Sequence, residues 1–287
     1  MPERTTPHPP GAQPDVATVA PGSPRTLRPS RTALLVVIGV LMTLAVVGWT
    51  LVVVTQSAWL SRSFGIDYGI YMEGLARWQA TGEWYRARQL AGPYPIELGD
   101  ILYPPVLMYL LFPFRYLGPV LWSAIPAAIV IWVVIRHRPA LWAVALIALC
   151  LAWPYTPAKF IFGNPVIWGA AALAAATFHR WAAALLLIKP TVIPFALFGI
   201  RDRRWWLVVP VLALASLPFL YDTLRYPEVL LNAQTNPIDG RGGPFYSITE
   251  FPLLCIPLLA WLGRRRAEPA TVVAPDPTVP IGQPVHD

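Results

Sequence analysis

The run from Ala33 to Val54 holds 22 residues without a charge, longer than any strand or ordinary core helix of a water-soluble domain requires. As a helix it covers about 30 Å, the thickness of a bilayer's hydrocarbon core. It exceeds the apolar core of a signal peptide, and no small-residue cleavage site follows it, so it is read as a retained first helix. Arg25, Arg28 and Arg31 precede it, which predicts a cytoplasmic N-terminus and an outer position for residue 57. Further apolar stretches follow at 103–114, 118–135, 139–157, 160–178, 181–200, 205–221 and 244–263. Composition agrees: 56% of the residues are hydrophobic and 13% charged. A soluble domain carries about 25% charged residues, so a water-exposed globule is excluded. The 13 Trp, 11 Tyr and 11 Phe exclude disorder for most of the chain.

The expected fold is all-α, a polytopic membrane helix bundle of about 6–8 transmembrane helices with an amphipathic helix in its first outer loop. Residues 1–31, rich in Pro, Ser, Thr and Arg, read as a disordered cytoplasmic arm, and 267–287 as a disordered tail. Residues 32–266 form the membrane domain, with 57–102 as the first outer loop and 222–246 as the last. Two stretches are open to two readings. Residues 103–114 are short for a crossing, and 181–200 are interrupted by Lys189-Pro190 and Pro194, so each is a crossing or a re-entrant hairpin. Both readings keep the two loops outside and both termini inside. Pro104, Pro105, Pro113, Pro154, Pro157, Pro165, Pro190 and Pro194 break apolar segments. Broken backbone at membrane depth requires protein or a water-filled cavity to satisfy it.

The net charge of +7 does not mark a nucleic-acid binder, because the arginines punctuate apolar segments rather than gather on one soluble face. Within the first loop, Ile70, Tyr71, Gly74, Leu75 and Trp78 share one helical face over residues 66–79, and Glu73 and Arg77 stand at i, i+4 on another. Cys150 and Cys255 lie in apolar runs and read as packing residues. No HExxH, P-loop, GxGxxG or GxSxG occurs, which leaves zinc-protease, nucleotide-cradling and serine-hydrolase chemistry without support.

Two charged residues stand out. Asp67 opens the amphipathic helix, as a general base for a hydroxyl, as an ordinary helix cap or as an acid satisfying the helix dipole. Lys189 is the sole charge between Trp181 and Ile200. It snorkels to an interface, or it serves a site, where its partner is a phosphate or an outward carboxylate. The outer loops also carry Arg62, Arg77, Arg86 and Arg88, then Arg225, Asp239, Arg241 and Glu250. Arginines there suit a lipid-linked phosphate or form a solvated face.

The ordered series Gly65-Ile66-Asp67-Tyr68-Gly69-Ile70-Tyr71, Gly82-Glu83-Trp84-Tyr85, Tyr103-Pro104-Pro105, Gly163-Asn164-Pro165, Lys189-Pro190 and Trp205-Trp206 resembles the GT-C superfamily of integral-membrane glycosyltransferases. It is most similar to glycosyltransferase family 87, which includes polyprenol-phosphate-mannose-dependent mannosyltransferases. The resemblance spans residues 33 to 206. It implies a multi-pass protein of the bacterial plasma membrane that moves a sugar, mannose by analogy, from a polyprenyl-phosphate donor to a lipid or glycan acceptor. Asp67 matches the acidic first-loop residue taken to activate the acceptor. Substrate contacts fall to Tyr71, Tyr85, Tyr103, Asn164, Lys189 and Arg241. No cofactor and no metal ligand are assigned. The chain departs from the pattern where the family often shows Gly-Gln followed by Asn, and it is shorter than many relatives. Two other classes fit the same sequence: a transporter or flippase for a lipid-linked or anionic solute, and a non-catalytic membrane scaffold.

Overall fold

Glycine and proline decide where the helices of this chain begin and end. The computed structural model describes residues 34, 37–44, 47–48, 51, 63–234 and 246–264. The N-terminal arm, much of the first apolar run, Arg62, Asp239, Arg241 and the C-terminal tail lie outside them. The described residues are overwhelmingly helical. Their one ladder pairs Tyr94–Pro95 with Ala233–Gln234 in parallel.

The first-loop helix runs Ile66–Thr81 between two left-handed glycines, Gly65 (φ 73°) and Gly82 (φ 77°). The Gly82 N–H closes it on Trp78 O, as a C-terminal glycine commonly does. Tyr71, Gly74 and Leu75 are its buried residues, on the predicted apolar face. A Cβ at Gly74 would overlap Ile101, so the side chain that glycine lacks is what lets the loop close over the helix. The predicted Glu73–Arg77 pair is not formed. Glu73 pairs with Arg86 at 3.3 Å, and Arg77 donates to Trp84 O instead, because the chain folds back over the helix and offers a buried carbonyl.

Residues 103–114 and 118–135, read as separate stretches, form one helical run, Met108–His137. It is bent at Gly118 (φ 76°, ψ 173°). The rings of Phe114 and Trp122 meet at 5.1 Å, although eight residues of straight helix rise about 12 Å. The 19 residues beyond the bend still reach about 28 Å. Leu141–Ala152 and Tyr155–Phe162 meet at 62° across Trp153-Pro154. Gly163 (φ 70°) ends the second, and Pro165 opens Val166–Ala176, whose Ala170, Ala171, Ala174 and Ala176 are buried. Small side chains let neighbouring backbones approach closely in membrane bundles.

Residues 180–199 fold as a hairpin. One leg is the 3-10 helix Arg180–Ile188, and the return leg combines Pro190–Val192, Ile193–Ala196 and Leu197–Gly199. The legs meet at their base, where a Cβ on Gly199 would overlap the Arg180 carbonyl oxygen. Nine residues of 3-10 helix rise about 18 Å, short of a bilayer core. Of the two readings for this stretch, the geometry is that of a fold-back with Lys189 at its tip. Arg180 and Arg264 both lie over the Trp261 ring, at 6.0 and 4.5 Å, and Pro139 bridges Arg264. One end of the protein therefore gathers arginines.

Among the described residues, two helical runs, Pro105–His137 and Arg203–Asn232, are long and apolar enough to cross a membrane, or three if the bent pair counts as one. This is fewer than the expected 6–8. Val166–Ala176 and Ile248–Leu262 are apolar but short, because proline and glycine cut the hydrophobic stretches into pieces that hydropathy alone cannot see. The two long runs expose apolar side chains: Val120, Ile131, Ile135, Leu207, Val211 and Leu214 are all more than half exposed. Such a surface suits lipid rather than water. The predicted last loop begins as a helix, Leu220–Asn232, that continues the run from Arg203. The two predicted outer loops do lie together. Besides the ladder, Tyr94 Oη donates to Val229 O at 3.2 Å, Tyr226 Oη to Leu102 O at 3.4 Å, and Asn232 Nδ2 to Gln89 O at 3.4 Å.

Candidate functional site

Four breaks in the helical chain meet at one point, and three of their central residues stand immediately before a proline: Tyr103, Asn164 and Lys189. A residue before proline is pushed out of the α region, so its side chain leaves the helical path. Lys189 shows this directly, with extended backbone (φ −119°, ψ 99°). The fourth residue, Glu250, is where the 3-10 turn Tyr246–Glu250 passes into the helix Phe251–Leu262.

Their side chains form one buried polar chain. Lys189 Nζ donates to both carboxylate oxygens of Glu250, at 2.6 and 2.7 Å, and to the Tyr103 hydroxyl at 3.1 Å. Lys159 Nζ lies 3.6 Å from Glu250 Oε1. The Tyr103 hydroxyl donates to Asn164 Oδ1 at 3.5 Å, which also accepts the Val166 N–H at 3.1 Å. Both contacts need the amide oxygen on that side, so the Asn164 NH2 faces Asp67 and donates to its Oδ2 at 2.7 Å. Glu250 is fully buried, and Lys159, Asn164, Lys189 and Tyr103 are each less than a tenth exposed. Two ammonium groups meet two carboxylates, which meets the requirement that buried charge be balanced.

Asp67 is not the cap of its helix. That position belongs to Gly65, with no side-chain bond, while Asp67 sits in the first turn, half-buried, where the helix dipole favours a negative charge. The Gly65 N–H donates to Ile161 O at 2.8 Å, fastening this helix start beside the break that carries Asn164.

Of the residues expected to contact substrate, Tyr71, Tyr85, Tyr103, Asn164 and Lys189 come together. Tyr71 packs edge-on against the Tyr103 ring, with centroids 5.6 Å apart. The Tyr85 hydroxyl and Trp84 Nε1 both donate to the Tyr103 carbonyl, at 3.1 and 3.0 Å. Burial pushes the Tyr85 phenol well up, so it stays a neutral donor. Arg241 lies outside the described residues. Of the two kinds of partner open to Lys189, the structure shows a carboxylate, that of Glu250. The loop arginines are used by the loop itself: Arg88 pairs with Asp100 at 2.7 Å and Glu97 at 2.8 Å.

Lys159 was missed by sequence reasoning, and Glu250 was read only as one polar group of a loop. The signal for both was charge balance. Lys159 stands in an apolar surrounding that demands an acid, and Glu250 is the one charge inside the last apolar stretch, 244–263. Cys150 and Cys255 are free, half-buried thiols. Among the described residues no group of three or more His, Cys, Asp or Glu is arranged to hold a metal ion. Compared with known protein families, curated proteins and solved structures, the chain matches none.

Proposed function

We propose that the chain is an integral-membrane glycosyltransferase of the GT-C kind, a multi-pass bundle that moves a sugar from a polyprenyl phosphate to a lipid or glycan hydroxyl. By the family 87 resemblance the sugar is mannose, the membrane the bacterial plasma membrane, the working face the outer one, and both termini are cytoplasmic. The observation that carries this reading is the Asp67 carboxylate, held by Asn164 at 2.7 Å at the end of a buried chain that reaches two lysines. It sets a base and a pair of cations in one network, as a displacement at an anomeric carbon requires.

In the reaction, Asp67 takes the acceptor's hydroxyl proton while the acceptor oxygen bonds to the anomeric carbon. The bond from that carbon to the phosphate oxygen breaks, and its electron pair leaves with the polyprenyl phosphate. Lys189 and Lys159 supply positive charge for the departing phosphate. In the resting arrangement Lys189 spends its three donors on Glu250 and the neutral Tyr103 hydroxyl. Its contact with Tyr103 is the one to exchange for a phosphate oxygen, because the Glu250 contact balances charge.

The test supplies membranes holding wild type or Asp67→Asn with labelled polyprenyl-phosphate sugars. Wild type transfers label and Asp67→Asn does not, while both unfold alike. Equal transfer by the two sinks the role of Asp67. Movement of intact lipid-linked sugar across the bilayer, with no bond cleaved, supports a transporter instead.

A further inference from the structure

A polar cavity lies on the seam where the two outer-loop regions join, and Tyr85 stands between it and the Tyr103 cluster. It encloses about 280 Å³ and is lined by Glu83, Tyr85, Leu90, Asp222 and Arg225, with Ala87 and Ala91 at its exposed rim. Its volume lies near the lower end of small-molecule sites, about 300–1,000 Å³, which leaves room for one ring-sized ligand rather than a chain.

Asp222 makes this cavity more than a surface dent. It is only 3% exposed, yet its one hydrogen bond among the described residues is a long one, 3.3 Å from the Trp84 N–H to Oδ2. A carboxylate has about four acceptor sites, so the cavity itself has to supply donors. Charge decides which kind. Glu83 adds a second carboxylate and Arg225 a guanidinium to the wall, while Arg77, bonded to Trp84 O, brings a second guanidinium to the residue whose N–H meets Asp222. Two acids against two guanidinium groups give no net field to hold a cation. They offer acceptors and donors around a tyrosine wall, and Tyr85 is fixed by its bond to Tyr103 O and by stacking on Tyr226.

We propose that this cavity binds a neutral polyhydroxylated ligand of one ring, a sugar or cyclitol unit, through hydroxyl donors to Asp222 and Glu83 and acceptors facing Arg225. The site shares Tyr85 with the Tyr103 cluster and does not require the transfer reaction. Trp84 donates to Asp222 through its backbone and to Tyr103 O through its indole, so one residue joins the cavity to the Tyr103 cluster.

The full chain, purified in nanodiscs, is titrated with methyl hexopyranosides and myo-inositol by saturation-transfer NMR, with guanidinium and tetramethylammonium chloride as cationic probes. Wild type gives saturable binding of at least one polyol. Asp222→Asn and Ala91→Trp, which blocks the rim without removing a hydrogen bond, each weaken it about tenfold or more. Ala91→Trp decides alone if Asp222→Asn fails to fold. Absence of polyol binding to wild type, binding unchanged in the folded variants, or binding of the cations in place of polyols overturns the proposal. Polyol binding without sugar transfer in membranes leaves this site standing and removes the glycosyltransferase reading.

Discussion

Replacing Glu250 by Gln removes the carboxylate that Lys189 and Lys159 share, and the structure sets how severe that is. Glu250 is fully buried, touches Lys189 at 2.6 and 2.7 Å, and lies 3.6 Å from Lys159. Breaking a buried pair from one side costs about 3–5 kcal/mol, because the surviving charge is stranded. Glu250→Gln withdraws this carboxylate from two ammonium groups at once, so the loss falls at the upper end of that range. Lys189→Met leaves Glu250 paired with Lys159. Coulomb attraction falls as 1/r, so the 3.6 Å contact retains roughly 70% of the attraction of the 2.6 Å one. Lys189→Met is therefore expected to cost about 1–2 kcal/mol less than Glu250→Gln. The double variant should cost less than the sum of the two singles, with a coupling of about 1–3 kcal/mol. Reversible unfolding in mixed micelles of rising SDS fraction measures all three. Equal costs for the two single variants, or strict additivity, would refute the triad as the organising contact of the site.

Further perturbations test other parts of the same scheme. Gly199→Ala drives a Cβ into the Arg180 carbonyl at the base of the hairpin and should destabilise by about 2–3 kcal/mol in the same unfolding assay. Gly163→Ala combines a left-handed backbone (φ 70°) with a 3.0 Å approach to Tyr68 Cβ, so about 1–2 kcal/mol is expected there. Trp84→Phe removes the indole donor to Tyr103 O while Tyr85 keeps bonding that oxygen, so the loss should stay near about 1 kcal/mol. Burial raises the Tyr85 phenol in the folded state above the unfolded value of about 10. The folded state then holds a proton that the unfolded state loses, so stability is intact below about pH 10 and falls as pH rises beyond it. Tyr85→Phe should flatten that alkaline limb in pH-dependent melts.

Much of the site was legible because proline leaves a mark that needs no structure. Tyr103, Asn164 and Lys189 each precede one, and each leaves the helical path into the same buried space. The first-loop helix was legible from its period, and its glycine boundaries from the residue type. What failed was counting. Hydropathy sums apolar side chains and is blind to the backbone, so both the α-helical run after Gly118 and the 3-10 hairpin of residues 180–199 read as apolar stretches. The partner of Lys189 was undetermined for a related reason. Glu250 is 61 residues away, and only the packing of Phe251–Leu262 against the remaining helices returns it to the centre.

The fold-back of residues 180–199 gives this segment an unusual sensitivity to length. A surface loop absorbs an inserted residue by bulging outward. Here the two legs are locked together at the base, and the lysine stands where they turn. One residue added to either leg moves the ammonium off the tip, and one removed draws it away from Glu250. Natural or engineered variants of this chain should therefore tolerate side-chain changes along the legs far better than insertions or deletions. Spacing, rather than chemistry alone, is the property this segment has to preserve.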